Sequence, residues 1–166
     1  RRLIAGCSVR SSACAAFAVV MTNGPDGRAA AEVIGVSDDS LQVSAGDTVD
    51  LTNLQRQILY ATPDVGAPKV AAAKARLAAV NPEVRVEAVQ ARIGSAELAP
   101  LVARADVVLD CSDNFATRHA VNRACVAATT PLVSGAAIRF DGQIAVFDPR
   151  DPASPCYHCL FGEGED

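Results

Sequence analysis

"ADVVLDCSDNFATRHAVNRAC", residues 105–125, decides the fold. Its first part is an unbroken apolar run that closes on Asp110, as expected of a parallel strand buried on both faces rather than of a half-exposed one. From Asn114 to Thr129 the text reads as a helix, so strand passes into helix with only a few residues between them. Those few are polar: Asp110, Ser112, Asp113 and Asn114. In a doubly wound sheet this is where ligands bind, beyond the carboxyl ends of the strands.

The same alternation extends in both directions. Upstream, "RLIAG" (2–6) reads as a strand, the Ala-rich stretch after Ser11 and Ser12 as a buried helix, and "TNGPDG" (22–27) as a break. A second strand spans about Leu41 to Ser44. "GAPKVAAAKARLAAVNP" (66–82) is the clearest helix, with Pro68 at a first helical position, a stripe of Val70, Ala73, Leu77 and Val80, and a stop at Asn81-Pro82. "EVRVEAVQA" (83–91) alternates as a half-buried strand, and "SAELAPLVAR" (95–104) is a short capped helix. Downstream, "PLVSGAA" (131–137) is a strand, and "IRFDGQIAVFD" (138–148) forms two strands about an Asp141-Gly142 turn. The expected fold class is α/β: a Rossmann-like, doubly wound, mainly parallel sheet with antiparallel strands added near the C-terminus.

At 166 residues and 50% hydrophobic content the chain fits a single domain with a sizeable core. A formal charge of −4 excludes general nucleic-acid binding, which needs a basic footprint. No apolar run reaches membrane-span length, and Arg10 interrupts the only stretch resembling a signal peptide, so a cytoplasmic protein is expected. Of six cysteines only Cys156 and Cys159 form a C-x-x-C pair, which reads as metal or redox chemistry rather than a disulfide framework. The chain opens in mid-strand and stops on "FGEGED", as a fragment would.

Several residue groups could carry chemistry. After the second strand, "GDTVDLTNLQRQ" (46–57) crowds Asn53, Gln55, Arg56 and Gln57. Arg56 supplies a charged fork suited to phosphate oxygens and Asn53 a neutral donor, although a loop arginine in an ordinary ion pair would look alike. Lys69 falls in the first helical turn, where free N–H groups already favour an anion, and a solvated lysine is the plain alternative. In "DCSDN" (110–114) the acids are hard oxygen ligands suited to magnesium, while Asp113 or Ser112 could simply cap the next helix. "PCYHC" (155–159) has the spacing of half a structural zinc site; His158 could ligate in principle, although its place between the cysteines favours pointing away. A redox thiol pair competes, though such pairs usually open a helix and this one follows strand-like residues.

Together, "DTVDLTNLQRQ" (47–57), "VGAPKV" (65–70), "VLDCSDN" (108–114), "PLVSGAAIRFDGQIAVF" (131–147) and "PCYHC" resemble the HesA/MoeB/ThiF family of ubiquitin-activating-enzyme-like adenylyltransferases, from about Gly46 to Phe161. Within it the chain looks closest to the proteins that activate sulfur carriers for molybdopterin or thiamine synthesis. The resemblance implies one adenylation domain over 1–166, atypical over 1–45, that uses ATP and magnesium to adenylate the C-terminal glycine of a ubiquitin-like sulfur-carrier protein. It implies that Thr52, Asn53 and Arg56 hold the phosphates, that Lys69 steadies the α-phosphate, that Asp113 binds magnesium and that Asn114 lies beside the nucleotide. Arg56, Lys69 and Asp113 would thus carry catalysis, by positioning and charge neutralisation. Cys156 and Cys159 would be half of a structural zinc site whose other pair lies downstream, and a homodimer is expected.

The first 45 residues depart from the family pattern. Where a G-x-G-G-x-G loop is expected the text is "AGCSVRSSA" (5–13), with Val9 at a position needing close backbone approach, so it should obstruct ATP or force the loop aside. Ala45 replaces the acid that would bind the ribose. Two explanations stand open: a diverged paralogue, or an N-terminal segment that is not the native reading. The alternative function is a catalytically silent module that dimerises or holds a carrier tail. A NAD-type oxidoreductase is disfavoured because the dinucleotide fingerprint is absent.

Overall fold

The computed structural model describes residues 33–36, 40–83, 85–90, 95–112, 114–138 and 141–162. The expected strand at 2–6, the Ala-rich helix after it, the loop containing Val9, and Asp113 lie outside the described residues.

Among the described residues, six strands form one sheet in the order β3-β2-β1-β4-β5-β6. They are β1 (Val33–Val36), β2 (Ser40–Ser44), β3 (Arg85–Val89), β4 (Val107–Asp110), β5 (Leu132–Ile138) and β6 (Asp141–Phe147). The helices are α1 (Lys69–Val80), α2 (Ser95–Val102), α3 (Phe115–Ala128) and α4 (Tyr157–Phe161). β2 runs parallel to β3 and β4 parallel to β5, and β6 closes the far edge antiparallel to β5, as the late hairpin predicts.

The sequence reading has no counterpart for β1. It lies between β2 and β4 and runs antiparallel to both. The register aligns Val89, Ser44, Val33, Asp110 and Ser134 in one row across the sheet. The carboxyl ends of β2, β3 and β4 therefore share one edge with the start of β1, not its end.

β4 shows why the sheet needs helices on both faces. Its side chains alternate direction: Val108 joins a cluster with Leu98, Val102, Val121, Cys125, Leu132, Phe147 and Tyr157, whereas Leu109 packs on the cluster of Val43, Val49, Tyr60, Val70, Ala73 and Val86. α1 covers one face, and α2, α3 and α4 cover the other. A continuous apolar run was the right signature for such a strand.

Three local expectations change. Pro68 is the N-cap of α1 and Lys69 its first helical residue. The apolar stripe of α1 stops short of Val80, the last residue of the helix, which is 73% exposed. Asp141 and Gly142 pair with Ile138 and Ala137, so they begin β6 instead of forming its turn. No helix among the described residues is long and apolar enough to cross a membrane.

Candidate active site

The segment after β2 is held by backbone pairing. Val49 N–H donates to Ala67 O and Gly66 N–H to Val49 O, each at 2.8 Å, and Lys69 N–H donates to Asp47 O at 2.9 Å. Residues 47–50 are thereby fastened to the start of α1. A 3-10 turn at Leu51–Asn53 follows, capped by Asp50, whose Oδ1 accepts from Thr52 N at 2.7 Å and Thr52 Oγ1 at 2.6 Å. Those hydrogen bonds hold the Asp50 carboxyl below its ordinary range, with a smaller pull from the Lys69 charge.

This turn places Arg56. Its N–H donates to Asn53 O at 3.1 Å, and Nη1 donates to Thr52 O at 3.2 Å. Nε and Nη2 are buried with no hydrogen-bond partner. A guanidinium donor held out of water without an acceptor is costly unless something else occupies that position. Asn53 is buried beside it. Lys69 is only 3% exposed, which removes the solvated alternative and sets a second cation at the same end of the sheet.

The end of β4 is built differently. Asp110 is fully buried, its Oδ1 accepts from Ser112 N at 3.0 Å, and its Oδ2 has no partner. Burial raises its carboxyl pKa above the ordinary range, opposed by the Ser112 hydrogen bonds and the Arg118 charge. The helix cap expected of Ser112 or Asp113 is made instead by Asn114, whose Oδ1 accepts from Thr117 N at 2.7 Å. Ser112 stands two residues before that cap, with its side chain buried.

Arg118 is the residue that sequence reasoning missed. Buried on α3, it donates to the Ser112 carbonyl, to Gly135 O at 3.1 Å and to Ser134 Oγ at 3.1 Å. It ties the loop after β4 to β5. The available signal was its spacing with Val121, Asn122 and Cys125, which puts polar residues on the buried stripe of an Ala-rich helix.

The ThiF family profile matches residues 33–166. The chain belongs to the ThiF family. Molybdopterin-synthase adenylyltransferase of Escherichia coli strain K12 is 52% identical over 120 residues, covering 70% of this chain and 48% of the relative. Sulfur carrier protein ThiS adenylyltransferase of the same strain is 43% identical over 138 residues, covering 83% of this chain and 55% of the relative. The chain thus spans about half the length of these relatives. Among solved structures, that of E. coli MccB with AMPCPP and SeMeT MccA superposes with a TM-score of 0.67 at 25% identity, covering 77% of this chain and 38% of that one. MccB with ATP gives 0.66 at 26% identity, over 74% and 36%.

As a ThiF-family member the chain has a final feature to place, the C-x-x-C pair. Cys156 is the N-cap of α4, so the pair does open a helix, contrary to the expectation drawn from its strand-like surroundings. The sulfurs are 3.6 Å apart. Thiolates sharing a tetrahedral zinc at about 2.3 Å would stand about 3.8 Å apart, so the pair fits half of such a site. Among the described residues no group of three or more histidine, cysteine or acidic side chains converges. Burial tends to raise the Cys156 thiol, but hydrogen bonds from Asn122, Cys159 and His158 outweigh it and lower its pKa. The His158 ring lies edge-on to His119, 5.5 Å between centroids.

Proposed function

We propose that this ThiF-family chain adenylates the C-terminal glycine carboxylate of a ubiquitin-like sulfur-carrier protein, consuming ATP and releasing pyrophosphate, in molybdopterin or thiamine biosynthesis. One observation carries the reading: Arg56, at the carboxyl end of β2, has buried donors left without acceptors, and a buried Lys69 is fastened to the same ribbon. Phosphate oxygens would satisfy those donors in the fork geometry that guanidinium prefers. The names of the relatives support adenylyl transfer and a sulfur-carrier substrate.

In this mechanism Thr52, Asn53 and Arg56 bind the phosphates, and Lys69 stabilises charge at the α-phosphate as the substrate carboxylate attacks. The carboxylate is the nucleophile and pyrophosphate leaves, so no side chain need form a covalent bond. Catalysis is then positioning and electrostatic complementarity. Asn114 keeps its amide nitrogen for the nucleotide while its oxygen caps α3. Asp113 would hold magnesium, which would neutralise phosphate charge when bound. Cys156 and Cys159 would give zinc half its donors. The remaining parts of the reading are a single adenylation domain over 1–166, a homodimer and a cytoplasmic setting.

The test is ATP–pyrophosphate exchange in the presence of a sulfur-carrier protein. Exchange should be present and should vanish in Arg56→Ala and Asp113→Ala; exchange surviving both changes would refute these roles.

A second reading, a catalytically silent module, has its own observation. β1 starts at the ligand edge, and its last residue, Val36, lies at the opposite edge from Ser44 and Asp110. A strand of that direction does not carry its carboxyl end to the edge where such sheets bind nucleotides. Ala45 is also buried in the apolar cluster and offers ribose no acceptor. Carrier binding without nucleotide binding would select this reading.

A further inference from the structure

One turn beyond Arg118 on α3, Asn122 is buried. Its Oδ1 accepts from the backbone N–H of Tyr157 at 3.0 Å, and its Nδ2 donates to Cys156 Sγ at 3.6 Å. The orientation of this amide follows from chemistry. Tyr157 N–H can only donate, so the amide oxygen must face it, and the NH2 group is left facing the sulfur. Tyr157 is the first residue of α4, where backbone donors lack partners within the helix. Cys156, the N-cap, makes no side-chain capping bond. Asn122 supplies the missing acceptor from another element and, with the same group, grips the thiol.

We propose that Asn122 is the positioning residue of the Cys156–Cys159 pair, holding Cys156 Sγ where both sulfurs can bind one thiophilic divalent cation. The proposal rests on the reading of this pair as half of a metal site. Its warrant is geometric. The Cys159 N–H donates to Cys156 O at 3.1 Å, which closes the knuckle turn but does not fix how the Cys156 side chain rotates. Asn122 fixes that rotation from outside the turn. Groups that orient a metal ligand in this way affect affinity by about 10–100-fold. Arg118 grips the loop after β4 from the same helix, so α3 anchors the thiol knuckle and the strand-end site together.

The test is titration of the reduced, intact chain with Cd2+ alone, followed by thiolate-to-metal charge-transfer absorbance. Asn122→Leu keeps the branched shape and removes both hydrogen bonds; Asn122→Ser is small and polar; Cys156→Ser is the reference for a lost ligand. Both Asn122 variants should bind about 10–100-fold more weakly with unchanged stoichiometry, and Cys156→Ser should lose the band. Wild-type binding with unchanged affinity in the Asn122 variants overturns the proposal and leaves the metal reading intact. Absence of binding by the wild type overturns both. A measurement on the wild type avoids any folding defect in the variants: in the 15N-labelled chain, Cd2+ should shift the Asn122 side-chain NH2 resonances together with the Cys156 and Cys159 amides. Cysteine shifts without the Asn122 shift would also overturn the proposal.

Discussion

The backbone N–H of Lys69 donates to the carbonyl of Asp47 across 2.9 Å, joining the first residue of α1 to the segment that leaves β2. Both cations of the proposed phosphate grip, Arg56 and Lys69, therefore ride on one ribbon, and its turn residue matters. Gly66 sits in that turn at φ +86, with open space where a Cβ would go. Gly66→Ala should then be penalised by conformation alone, about 1–2 kcal/mol, read as a lower urea midpoint with unchanged slope. An unshifted midpoint would show that the turn does not require the left-handed region.

Lys69 is buried, and its charge adds only a minor pull on the exposed Asp50 carboxyl. A desolvated ammonium of this kind serves ligand binding better than folding. Lys69→Met should leave thermal stability equal or higher while ATP binding falls at least tenfold. A less stable variant that binds ATP normally would assign Lys69 to structure.

Burial raises the Asp110 carboxyl pKa in the folded state. The folded protein then holds this proton more tightly than the unfolded chain does, so the contribution of Asp110 to stability is full below its unfolded value and is lost as pH rises through the folded one. Asp110→Asn mimics the protonated form and can still accept from Ser112 N. Its melting temperature relative to wild type should be highest near neutral pH, and the difference should close as pH approaches about 4, near the ordinary carboxylate pKa. A difference that widens on acidification would contradict this sign.

Arg118 satisfies carbonyls of two different segments, after β4 and in β5. Arg118→Met keeps the aliphatic stem but strands these acceptors at roughly 1–3 kcal/mol each. Urea unfolding should show a loss of that size, with Arg118→Lys recovering only part of it because an ammonium lacks the planar fork. Full recovery by lysine would mean that charge, not geometry, is what this position needs.

The sequence made β4 and α3 legible because a strand buried on both faces is apolar throughout and the following cap is polar. The regular period of α1 and its stop at Asn81 were equally readable, but the exposure of Val80 at its last position was not. β1 was missed because four residues with a central glycine carry little signal, and its direction is set by pairing with Ser44 and Asp110, far apart in sequence. At the site, Arg56 and Lys69 stood out as candidates by residue type and position, while their proposed phosphate roles came from the family resemblance. The roles of Arg118 and Asn122 could not be named, since they depend on strand ends and a thiol brought together only by the fold.

Calorimetric titration of ATP with magnesium, on this chain and on Arg56→Ala, bears most directly on the proposed phosphate grip. Binding in the micromolar range, about −8 kcal/mol, that is lost in the variant is the expected result. Absence of binding by the wild-type chain, or equal binding by both, would contradict the assignment of Arg56 to the nucleotide.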